Sequence, residues 1–103
     1  MPKYIIERDV PGVGSLSLRD QKAGAAKSRR VVDELGPEIT WQQSYICGDK
    51  TYCVYIAANE DIILEHARRS GFPATTITEV KTMHDPTTAE MHLPEEEGEV
   101  DRS

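Results

Sequence analysis

A chain of 103 residues with 12 lysines and arginines against 18 aspartates and glutamates carries a formal net charge of −6. That length holds one domain able to fold without staples or a structural metal, and the acidic balance excludes a surface built to neutralise nucleic-acid phosphates. No apolar run approaches the roughly 18 to 20 residues of a membrane span, and no basic segment followed by an apolar one opens the chain, so the expected location is the cytoplasm.

The segment KYIIERD, residues 3–9, starts with Tyr4, Ile5 and Ile6 and then alternates into charge, which predicts a strand. Ile5, Glu7 and Asp9 share one of its faces and Arg8 points the other way, all three charges closing the strand where water arrives. Gly12 and Gly14 break it, but the full phosphate-loop pattern is absent. Ser17 is a plausible N-cap for a helix running to Leu35, with Leu18, Ala25 and Val32 recurring every seven residues and Ala26, Val31 and Leu35 beside them. Gly36-Pro37 ends it.

Residues 38–47 and 51–58 read as two strands joined by the turn Gly48-Asp49-Lys50. Pairing Cys47 with Thr51 sets Tyr45 opposite Cys53, Gln43 opposite Tyr55 and Trp41 opposite Ala57 on one face, the face expected beneath the helices. Val54 and Ile56 take the other. The two cysteines are too few for a disulfide scaffold and are not spaced as C-x-x-C, so reduced thiols are expected.

The clearest helix follows. Asn59 is the expected N-cap, Glu60 and Asp61 suit the positive end of the dipole, Arg68 and Arg69 the negative end, and Gly71 with Pro73 stops it. Ile62, Ile63, Leu64, Ala67 and Ser70 spread over one arc, with His66 at its edge. A histidine there is a half-buried hydrogen-bonded core residue or, with its tautomer fixed by a neighbour, a metal ligand or general base. Residues 75–82, TTITEVKT, form a last strand. From Met83 to residue 103 the chain turns acidic and poor in apolar residues, which predicts a disordered tail; His84 and His92 beside Met83 and Met91 fall there.

Strand, helix, strand, strand, helix, strand over residues 1–82 is the α+β ferredoxin-like βαββαβ pattern, a four-stranded antiparallel sheet with both helices on one face and the first and third strands central. The free face, carrying Ile5, Val54 and Ile56 with Glu7 and Asp9, is too apolar to stay wet, so a homodimer joined sheet to sheet around a partly polar cavity is expected.

YIIERDVPG, WQQSYICGDKTYCVYIA and EHARRSGFPATTITEV together resemble a family of small bacterial ferredoxin-like proteins of unassigned function that includes the actinomycete nickel-binding proteins. In that branch histidines stand near the end of the first strand and just before the proline, where this chain has Glu7, Arg8 and Phe72; His66 matches. The resemblance implies nickel(II) or another divalent metal held at the dimer cavity by His66 with Glu7, Asp9 or Cys53, or by ligands from two subunits. The alternative is a cofactor-free enzyme or small-ligand carrier, with His66 as base, Glu7 or Asp9 fixing its protonation, and Tyr45, Tyr52 or Tyr55 lining a pocket. A third reading is a partner-binding module whose charges merely finish a sheet edge.

Overall fold

The computed structural model describes residues 1–95. It contains strand β1 (Lys3–Asp9), helix α1 (Leu18–Leu35), strands β2 (Ile39–Ile46) and β3 (Lys50–Ala57), helix α2 (Glu60–Ser70) and strand β4 (Thr76–Glu79). The strands form one antiparallel sheet in the order β2-β3-β1-β4. This is the expected α+β ferredoxin-like arrangement, with the first and third strands in the middle.

The helix boundaries follow local chemistry. Ser17 Oγ accepts from the Asp20 amide at 3.1 Å and Asn59 Oδ1 from the Ile62 amide at 3.1 Å, each satisfying one orphan N–H. Gly71, at φ 79°, takes the left-handed turn that ends α2, and its amide bonds back to Ala67. The buried stripe of α1 keeps the expected Val31, Val32 and Leu35, but Leu18, Ala25 and Ala26 are exposed. Leu18 is 83% exposed, and the inward positions are Gly24, Ser28, Val31, Val32 and Leu35. Small residues lead because α1 crosses α2 there, where the ring of Phe72 approaches Gly24 and His66 meets Ser28. On α2 the inward row is Ile63, His66 and Ser70, so His66 lies at the centre of the stripe, while Leu64 is exposed.

Pleating divides β1 cleanly. Tyr4, Ile6 and Arg8 point toward the helices, and Ile5, Glu7 and Asp9 point away. From β3, Thr51, Cys53, Tyr55 and Ala57 join the helix side, leaving Tyr52, Val54 and Ile56 on the open face. The core is Tyr4, Ile6, Ile39, Cys53, Tyr55, Ala57 and Ile63, with Val32, Leu35, Trp41 and Ile77 packed against it.

The hairpin register differs from the expected one by a residue: Ile46 pairs with Thr51, Tyr45 with Tyr52 and Ser44 with Cys53. Tyr45 therefore lies on the open face. Between Gln43 and Trp41 the register slips again at a bulge, which returns Trp41 to the helix side opposite Tyr55. The bulge sets Trp41 and Ser44 on the same face, and the indole Nε1 donates to Ser44 Oγ at 2.9 Å. The slip arises because Cys47 belongs to the turn, its amide donating to the Lys50 carbonyl at 2.8 Å.

The loop after β1 is clamped to that turn. Val10 and Gly14 amides donate to the Asp49 and Gly48 carbonyls, each at 2.9 Å, and the Gly12 amide donates to Asp49 Oδ1 at 2.8 Å. A Cβ on Gly14 would stand 2.4 Å from the Cys47 carbonyl oxygen, so only glycine fits. Gly14→Ala is expected to lower the unfolding free energy by about 1–3 kcal/mol in urea titrations. Gly48→Ala, with open space around its Cβ position, should change it little.

Candidate functional site

Two groups of ionisable side chains stand on opposite sides of the sheet. On the helix side a polar chain threads the core. Arg8, only 3% exposed, donates from Nη1 to the carbonyls of Pro73 at 2.9 Å and Phe72 at 3.3 Å, and from Nη2 to the Tyr55 phenol oxygen at 3.4 Å. The Tyr55 hydroxyl lies 3.5 Å from Ser28 Oγ, which lies 3.2 Å from His66 Nε2. His66 also tilts against the Tyr55 ring, centroids 5.4 Å apart.

The His66 tautomer follows from its partners. Nε2 sits 3.4 Å from the Ser28 carbonyl, which can only accept, so Nε2 carries the proton. Nδ1 is then a bare acceptor, buried and without a hydrogen-bond partner. Burial first, and the Arg8 guanidinium second, hold the imidazole pKa below its ordinary value. Burial likewise pushes the Tyr55 phenol up, with Arg8 acting against it. Cys53 is 6% exposed, paired across from Ile6 and 3.7 Å from Thr51 Oγ1; both Cys53 and the exposed Cys47 are free thiols.

On the open face, Lys50 Nζ lies 3.2 Å from Glu7 Oε1 and 3.7 Å from Asp9 Oδ1. The bond to Glu7, followed by the two negative charges, raises the Lys50 pKa and keeps the ammonium protonated. Tyr52 stands opposite Glu7, Tyr45 opposite Tyr52, and Val54 opposite Ile5. These residues make a surface with an apolar floor, a tyrosine pair and a charged end.

The four residues expected to share a metal are thus divided by the sheet. His66 and Cys53 lie on the helix side, Glu7 and Asp9 on the open side, and among the described residues no three His, Cys, Asp or Glu side chains converge. Among the described residues, the donor atoms available on the buried side are His66 Nδ1, with the Arg8 cation acting on that ring, and the Cys53 thiol. A divalent ion needs several anionic or neutral donors there, so this set does not fit nickel. The same division separates His66 from Glu7 and Asp9 as a general-base pair. Sequence reasoning left Arg8 as a charge at the wet end of the strand, whereas it is buried under the loop after α2, and gave Ser28 and Lys50 no functional role. Alternation already placed Arg8 with Tyr4 and Ile6, and the missing information was that the loop after α2 would cover it.

Replacing His66 by alanine should destabilise the fold by about 2–4 kcal/mol, because it opens a cavity and strips Ser28 of its partner. Since the folded imidazole titrates below its unfolded value of 6.5, the unfolded chain takes up the proton first. His66 therefore contributes fully above that pH and progressively less as pH falls below it, at a slope of at most about 1.4 kcal/mol per unit. Urea unfolding between neutral and mildly acidic pH should show this slope in the wild type and lose it in His66→Gln.

With the geometry established, the relatives can be compared. A crystal structure of SCO4226 from Streptomyces coelicolor A3(2) superposes with a TM-score of 0.67 at 13% identity, covering 80% of this chain and 99% of that one; the likeness is one of fold. No curated protein sequence matches this chain. Residues 4–80 match the family model for nickel responsive proteins of the SCO4226-like type. Because that match takes in both helices and all four strands, the chain belongs to the SCO4226-like family of nickel responsive proteins.

Proposed function

We propose that the chain acts as a cytoplasmic homodimer whose two open sheet faces enclose a chamber for a small organic ligand. The observation that carries this reading is the uncovered face itself. Ile5 is 38% and Tyr45 55% exposed, with Val54 and Ile56 half-buried alongside, in a protein whose other face buries Tyr4, Ile6, Cys53, Tyr55 and Ala57 beneath the helices. Contiguous apolar surface of this kind marks an interface or a ligand-binding surface. Glu7, Asp9 and Lys50 at one end and Tyr45 and Tyr52 beside them supply the few polar contacts that orient a ligand over an apolar floor. His66 then serves stability, not ligand chemistry.

The family name supports a second reading, a response to nickel. In this chain the carboxylates closest to that role are Glu7 and Asp9, and Lys50 already pairs with both, offsetting one of their two charges. A divalent cation would have to displace that lysine and take ligands from two copies.

Anilinonaphthalene sulfonate, an apolar anion that fluoresces in dry sites, and Ni²⁺ in calorimetry separate the two. The ligand-chamber reading expects saturable dye binding that appears with the dimer and disappears in Val54→Lys, and no saturable heat with Ni²⁺. The metal reading expects Ni²⁺ binding that is lost in the double variant Glu7→Gln, Asp9→Asn, strengthened in Lys50→Ala and indifferent to His66→Gln. A monomer at high micromolar concentration would sink both.

A further inference from the structure

The chain continues past the family core as an arm with its own backbone order. After Val80, whose amide donates to the Lys3 carbonyl at 2.8 Å, every described residue except Thr88 is exposed. Yet Pro86–Glu90 forms a 3-10 helix closed by a capping box: the Thr87 amide donates to Asp85 Oδ1 at 2.8 Å and the Asp85 amide to Thr88 Oγ1 at 3.0 Å. The disordered tail expected from Met83 thus begins with a defined turn; residues 96–103 lie outside the described part. Around that turn Met83 is 67%, Met91 56% and Leu93 40% exposed. The arm holds three large apolar side chains in water.

We propose that this arm is a clasp that buries Met83, Met91 and Leu93 against a second copy of the chain. The inference rests on the dimer reading above and adds the segment that secures it. Strands of seven, eight, eight and four residues, each residue covering about 4.8 by 3.3 Å, make an open face of roughly 400 Å². A stable interface takes about 800 Å² from each partner. The sheet face alone is therefore too small by about half, and the arm, which departs from the margin of that face, carries three more exposed large apolar side chains. Its reach is sufficient. Five residues of 3-10 helix at about 2.0 Å and eight extended residues at about 3.3 Å span roughly 36 Å, well beyond the roughly 19 Å width of the sheet. The arm leaves beside Lys3, on the row where Lys3 and Ile56 close one end of the open face, so it starts at the interface margin. The family match ends at residue 80, so the arm lies beyond the matched core.

Sedimentation equilibrium of the full chain across the micromolar range tests it, comparing the wild type with the triple variant Met83→Ser, Met91→Ser, Leu93→Ser and with Val54→Lys. All three arm positions are exposed in the single chain, so the triple variant should keep the wild-type circular dichroism and melting of its monomer. The expected result is a dimer whose dissociation constant rises at least about a hundredfold in the triple variant, three buried apolar side chains being removed from each copy. A wild-type dimer with an unchanged constant in the triple variant, but lost in Val54→Lys, would overturn the clasp and leave the sheet dimer standing. A wild type that is monomeric throughout would overturn both.

Discussion

The interior of this protein is organised around a guanidinium with no carboxylate beside it. Arg8 is buried in the middle of the sheet, and its partners are the Phe72 and Pro73 carbonyls and the Tyr55 phenol. A charge removed from water costs several kcal/mol unless dipoles replace its hydration, and here the two loop carbonyls just after α2 and the Tyr55 phenol supply them. The same contacts tie the connection between α2 and β4 across the central strand β1. That connection sets where β4 pairs and where the arm departs.

Electrostatics then spread outward from this point. The cation lowers the proton affinity of His66, which is already desolvated, and so keeps a neutral imidazole donating to Ser28 on α1. A hydrogen-bonded sequence from Pro73 through Arg8, Tyr55 and Ser28 to His66 thereby joins a loop, two central strands and both helices. A polar network of this kind specifies one packing of the layers, since any slip leaves a buried group unpaired. It also makes the interior a poor host for a divalent cation, despite belonging to a family named for its nickel response.

The open side obeys different constraints. There Glu7, Asp9 and Lys50 are partly solvated, their pairing is screened by water, and the apolar residues between them are left bare. The proposed ligand chamber lies on this side because the open face retains exposed apolar surface. The helix side has used its polar groups to hold the layers together.

Much of the fold was legible in the sequence because it depended on local rules. Ser17, Asn59 and Gly71 announced the helix ends through backbone groups that need partners, and strict alternation in KYIIERD assigned Glu7 and Asp9 to one face and Arg8 to the other. The order of elements and the handedness of crossovers were enough for the sheet order. Tertiary structure alone decided three things. The hairpin register depends on Cys47 entering the turn and on the bulge between Trp41 and Gln43, which pattern matching cannot count. The small-residue stripe of α1 answers to the helix it crosses, so its own periodicity pointed elsewhere. Above all, alternation had already set Glu7 and Asp9 on the free face and Cys53 beneath the helices, but only the packed layers show that Arg8 and His66 are both buried and joined through Tyr55 and Ser28.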